Sequence, residues 1–85
     1  MSVVPQARDA IRQQVIKLAA RRGVDATGLG DSDVLPETGV LDSVAIIELI
    51  VWFESTFNRI IDQSELTLEN FGTVDAMVNY LERTD

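Results

Sequence analysis

Laid out at 100° per residue, Val4, Ala7, Ile11, Val15 and Leu18 fall in one narrow arc, with Arg8, Asp9, Arg12, Gln13 and Lys17 opposite. The spacing predicts a first amphipathic helix over 4–22. Pro5 sits in its first turn, where a missing amide costs nothing, and Gly23 supplies the stop. Residues 24–41 show no period and are rich in Gly, Asp and Thr, with Pro36. They read as a long connector, of a kind that tends to be functional, with Leu29, Val34, Leu35, Val40 and Leu41 placed to pin it to a core. A second helix is predicted from Ser43 to Phe57, behind Asp42 as its cap. A short third begins near Asp62, whose spacing to Glu65 is that of a capping box, with Leu66 and Leu68 helping to fix the turn. Thr73 opens the last, in which Val74, Met77, Val78 and Leu81 share a face that ends near Arg83. The expected fold is all-α: one domain over 1–85, a four-helix bundle with a short third helix and a long loop between helices one and two.

The second helix does not follow the simple pattern of one buried and one wet face. Ala45, Ile46, Leu49, Ile50, Phe53 and Phe57 form its inward arc, and Trp52 lies at the border. The outward arc holds Ser43, Glu48, Glu54 and Ser55, but also Val44, Ile47 and Val51. A contiguous aliphatic line among carboxylates, starting beside a serine, is more often a contact surface than an accident. The competing reading is that helix three or the long loop folds over it.

Composition narrows the chemistry. Of the 85 residues, 46% are apolar, enough for a real core, and there is neither cysteine nor histidine. Disulfides, thiolate chemistry, the usual zinc ligands and any triad built on imidazole are thereby removed. Asp31-Ser32-Asp33 invites a calcium loop, but Leu35 and Pro36 stand where an acid or amide and a glycine are needed, so no metal site is expected. MSVVPQARDA lacks the apolar centre of a signal peptide, and the longest apolar run is broken by Glu48, short of the ~20 residues that cross a bilayer. A cytoplasmic protein without membrane insertion is expected. Net charge is −7, and from Gly23 onward 13 acids stand against Arg59 and Arg83 alone. Such a surface repels nucleic acid and anionic membrane, and speeds encounter with partners that bear a basic patch.

Taken alone, Asp42-Ser43 before an apolar run is an ordinary helix start. No group in cis could activate the Ser43 hydroxyl: there is no histidine, and Lys17 lies on another helix. GVLDSV followed by IIELIVWFESTF, however, resembles the acyl, peptidyl and D-alanyl carrier proteins, and the likeness extends over nearly the whole chain. The resemblance implies that Ser43 carries 4′-phosphopantetheine, moved from coenzyme A by a magnesium-dependent phosphopantetheinyl transferase. It also implies that the arm's thiol holds an acyl or aminoacyl group as a thioester. Asp42 is then cap and recognition element. Val44, Ile47 and Val51 give partners desolvated contact, while Glu48 and Glu54 give register and steering.

The partners implied are that transferase, a loading ligase and a downstream transferase or synthase. The carrier is a monomer with no catalysis of its own. Gly39-Val40-Leu41-Asp42-Ser43, with Ala45 and Ile46 where fatty-acid carriers place acids, is more similar to discrete D-alanyl, aminoacyl or specialised-metabolite carriers. A polyketide, nonribosomal peptide or related pathway is expected. The alternative is an unmodified helical module that binds one partner permanently through Val44, Ile47 and Val51.

Overall fold

In the computed structural model, which describes residues 4–84 and the side-chain surroundings of 6–83, every regular element is helical. The first, α1 (Val4–Arg21), buries Ala7, Ile11, Val15, Leu18 and Ala19, the arc anticipated from its period. The side chain of Val4, expected on that arc, lies outside the described residues. Gly23 ends α1 in the left-handed conformation (φ 77°), a region an L side chain enters only under strain. The amides of Gly23 and Val24 turn back onto the carbonyls of Ala20 and Ala19 at 3.0 and 2.9 Å, and the Ala19 carbonyl also accepts from the Arg22 amide at 2.9 Å, so the last turn is closed on itself.

Four further helices follow: α2 (Leu35–Thr38), α3 (Ser43–Phe57), α4 (Leu68–Phe71) and α5 (Val74–Thr84), with a 3-10 turn over Gln63–Glu65. α1 packs on α3 and α5, and α4 packs on α5. Val74, Met77, Val78 and Leu81 of α5 are buried as expected, joined by Tyr80. From α3, Ala45, Leu49 and Phe53 are fully inside, whereas Ile46, Ile50 and Phe57 are half-buried against the same core. The Phe53 ring meets Phe57, Phe71 and Tyr80 edge-on at 5.0, 5.4 and 6.2 Å, so α3, α4 and α5 share one aromatic cluster. Each such fully buried side chain contributes on the order of 1.5–3 kcal/mol. No polar or charged residue is buried among the described residues.

Two expectations about the connecting segments are corrected. The connector is not wholly irregular: Pro36 sits near the start of the one-turn helix α2, and Gly39 closes it at φ 74°. Nor does Asp62 cap a third helix, because its side chain makes no capping hydrogen bond. Glu65 instead accepts from the Tyr80 hydroxyl at 3.3 Å. The cap in this region is Thr67, whose hydroxyl accepts from the Asn70 amide at the start of α4. Leu66 and Leu68 are exposed. Thr73, by contrast, opens α5 as expected, its hydroxyl accepting from the Ala76 amide at 2.9 Å.

The connector is fastened by cations that the helical period had assigned to water. Arg8 donates to both Asp31 (2.8 Å) and Asp75, and Arg12 donates to Asp31 (2.6 Å) and to the Leu29 carbonyl (2.7 Å). Backbone bonds complete the seam: the Asp75 amide donates to the Asp31 carbonyl (3.0 Å), and the Leu35 amide to the Gly72 carbonyl (2.8 Å). Gly72 is needed there, since a methyl group on it would stand 2.4 Å from the Leu68 carbonyl oxygen. At the far end Arg22 donates to the carbonyls of Val40 (2.9 Å) and Gly39 (3.3 Å). Leu35, Val40 and Leu41 are buried beneath these ties, with Leu29 and Val34 half-buried. The connector thus delivers Asp42 to a defined place. There the Asp42 carboxylate accepts from the Ala45 amide at 2.9 Å, capping α3.

Two consequences can be measured. Arg12, and then Arg8, hold the Asp31 carboxyl below its ordinary range. A depressed carboxylate adds stability that is present above its unfolded pKa and is lost as pH falls through the folded one. Asp31→Asn should therefore lower stability at neutral pH by about 1 kcal/mol, a modest value because the partly exposed pairs are screened. It should also flatten the acid limb of a stability–pH profile from urea titrations; an unchanged acid limb would show that the seam adds nothing. Asp42→Ala should cost about 1 kcal/mol in the same assay, with Asp42→Asn retaining most of it.

Candidate functional site at the head of helix α3

Asp42 stands in extended backbone (φ −90°, ψ −177°) immediately before the helix, and its own carbonyl accepts from the Ile46 amide at 2.9 Å. Its second carboxylate oxygen lies 3.7 Å from the Arg22 guanidinium. Asp42 is therefore doubly engaged, as helix cap and as partner of the cation that clamps the connector. Ser43 follows as the first helical residue, exposed, and its hydroxyl makes no hydrogen bond among the described residues. The amides of Ser43 and Val44 lie in the first turn, where no carbonyl one turn earlier can receive them. The arrangement presents an uncommitted hydroxyl beside amide donors and the positive end of a 15-residue helix.

That setting suits a phosphodiester on the hydroxyl. The group would remain in water, meet the first-turn amides, and have Arg22 across the Asp42 carboxylate as the nearby cation. It does not suit chemistry by Ser43 itself. Asp42, the adjacent carboxylate, is committed to the Ala45 amide, and no described side chain hydrogen-bonds the hydroxyl as a base would.

Along α3 the aliphatic stripe is open. Val44, Ile47 and Val51 are 65%, 61% and 58% exposed, so neither the connector nor α4 folds over them. Glu48, between them, forms an exposed ion pair with Arg21 at 3.1 Å. Five of the residues picked from sequence, Ser43, Val44, Ile47, Glu48 and Val51, thus lie on one accessible side of the helix, with Asp42 at its tip. Glu54 is placed differently. It is half-buried, and its carboxylate accepts from the Ile61 amide at 3.0 Å, which fastens the chain as it leaves α3. Pattern reading missed Arg21, the last residue of α1, and Arg22 just beyond it, which frame the head of α3. Cations in a last helical turn read as dipole partners, and nothing local shows a target 17 to 27 residues away.

Comparison with known proteins agrees with this geometry. The family model described as the phosphopantetheine attachment site matches residues 13–81, from mid-α1 to α5 with the head of α3 inside. D-alanyl carrier proteins of Streptococcus pyogenes serotype M5 (strain Manfredo), serotype M49 (strain NZ131) and serotype M1 are each 38% identical over 74 residues. The aligned part spans 86% of this chain and 92% of theirs. No solved structure matches the chain. With an all-helical bundle, an exposed serine at the head of its core helix and a family match over most of its length, the chain belongs to the carrier proteins that hold 4′-phosphopantetheine covalently.

Proposed function

We propose that Ser43 is the attachment point, and that the protein is a discrete carrier of an acyl or aminoacyl group. The observation that carries this reading is the exposed, uncommitted Ser43 hydroxyl at the N-terminus of α3, inside the matched region. When bound, the cofactor supplies a thiol on a flexible arm, on which cargo is held as a thioester. The chain's own residues do four things. Asp42 holds the first turn closed through the Ala45 amide, so Ser43 is presented at a fixed place. The Ser43 and Val44 amides receive the phosphodiester, an interaction worth roughly 0.3–1 kcal/mol when exposed. Val44, Ile47 and Val51 give partner enzymes an apolar strip to desolvate. The acidic balance beyond Gly23 steers partners that carry basic patches.

The partners in this reading are a phosphopantetheinyl transferase, a loading ligase and a downstream acceptor enzyme. The names of the relatives favour an amino acid as cargo, and Ala45-Ile46 after the serine, where fatty-acid carriers place acids, agrees. Delivery to a nonribosomal, polyketide or related pathway in the cytoplasm, where coenzyme A is at hand, completes it. No described helix is long and apolar enough to cross a membrane.

Incubation with coenzyme A and a promiscuous transferase should raise the intact mass by one phosphopantetheine, and Ser43→Ala should abolish the gain. An unchanged mass with several active transferases would point to an unmodified module that binds through the stripe. Ile47→Ala should slow transfer onto Ser43, or loading of the arm, about tenfold, the equivalent of losing a well-buried side chain in an interface. Its urea midpoint should match the parent's; a change in stability alone would make the stripe a packing surface.

A further inference from the structure

The connector reaches α3 through Gly39, Val40 and Leu41, and one guanidinium grips that last stretch. Arg22 donates to the Val40 carbonyl at 2.9 Å and the Gly39 carbonyl at 3.3 Å, while its Nε faces the Asp42 carboxylate at 3.7 Å. All three contacts fall on residues just ahead of Ser43. The base of Arg22 is firm, because its own amide is bonded to the Ala19 carbonyl and both Leu18 and Ala19 are buried. The stretch it holds is less so. Gly39 turns at φ 74° where α2 stops, and although Val40 and Leu41 are buried, the corner at Asp42 borders a hollow of about 190 Å³ that Arg21, Val44 and Glu48 also line. The polar edge of the stretch therefore has room to shift once the guanidinium lets go.

We infer that Arg22 is a positioning residue for the transfer of phosphopantetheine onto Ser43, acting through Asp42 and the connector carbonyls rather than on the reacting atoms. The inference rests on Ser43 being the attachment point. In that step the Ser43 oxygen bonds to the pantetheine-bearing phosphorus of coenzyme A. The bond from that phosphorus to the bridging oxygen breaks, and adenosine 3′,5′-bisphosphate leaves with the electron pair. The serine proton passes to a base of the transferase. The carrier's part is to set one oxygen in line with the breaking bond, where a misplacement of about 1 Å costs up to about a hundredfold in rate.

A guanidinium suits this task in two ways. Its planar fork spans two carbonyls and a carboxylate at once, whereas an ammonium on a flexible stem is a point charge. Its charge also offsets Asp42, whose carboxylate beside the serine opposes an arriving diphosphate. The two side chains are 36% and 54% exposed, so solvent screens the charge and the geometry carries the larger share.

Transfer is followed by intact mass over a series of carrier concentrations, with coenzyme A and a promiscuous transferase. Arg22→Gln should lower the maximal rate about tenfold and leave the half-saturating carrier concentration within about twofold of the parent's. Arg22→Lys, which restores the charge but not the fork, should recover only a minor part of the loss. Arg83→Gln removes the same charge from a guanidinium bound to Asn70, and should transfer as the parent does. Hydrogen exchange supplies a readout that general destabilisation does not reproduce. In Arg22→Gln the Ala45 and Ile46 amides, both bonded to Asp42, should exchange faster, with Val78 and Leu81 of α5 unchanged. If Arg22→Gln keeps the parental maximal rate, or Arg22→Lys restores it fully, Arg22 does not position the serine. A rise in the half-saturating concentration alone would make it a docking charge instead, and exchange that quickens equally in α3 and α5 would give it only a general part in stability. A parent that gains no mass is a separate failure, which removes the reading of Ser43 and this inference with it.

Discussion

The burial of Ala45, Leu49 and Phe53 is the constraint from which the rest of the structure follows. With 3.6 residues per turn, seating these three in the core leaves α3 no rotational freedom, and Val44, Ile47 and Val51 must then face outward. The aromatic contacts of Phe53 secure one end of the helix, and the Asp42 cap secures the other. Ser43 is left at the tip because the same helix is required inside. In the proposed reading, a residue offered to different enzymes is thus mounted on a helix locked into the core, which spares each encounter the entropy of ordering a loop.

How much of this could be read from the chain depends on the range of the interaction. The buried arcs of α1 and α5, the start of α3 and the exposure of its stripe follow from periodicity and capping, which are local and leave a local imprint. The contacts of Arg8, Arg12 and Arg22 do not. Arg8 meets a carboxylate 67 positions away, and nothing in the spacing of a helix announces such a partner. Asp62 and Glu65 illustrate the reverse error. Their spacing permits a capping box, yet the Tyr80 hydroxyl takes Glu65 and only a 3-10 turn forms there. Glu54 was legible as a polar position on α3 but not as the anchor of Ile61, because that bond depends on the turn made at Asn58, a non-glycine residue at φ 54°.

The internal ties also change the meaning of the charge distribution. The chain begins with a cluster of cations, and four of them, Arg8, Arg12, Arg21 and Arg22, are matched to acids or carbonyls of the chain itself. What remains to be sensed from a distance is chiefly the carboxylate excess of the later elements. The helix that looks basic in sequence is electrostatically muted in the fold, and the long connector it fastens becomes a rigid shelf beneath the serine.

The use of arginine at every one of these ties has a chemical corollary. A guanidinium stays protonated far above neutrality and has no lone pair to offer, whereas an amine can attack a thioester and take the acyl group onto itself. The chain contains one lysine, Lys17, exposed on α1, and it is not among the residues that line the hollow at Asp42 and Val44. In the proposed reading, a surface built in this way can keep an activated carbonyl close without consuming it by self-acylation, leaving the choice of nucleophile to the enzyme that comes to collect.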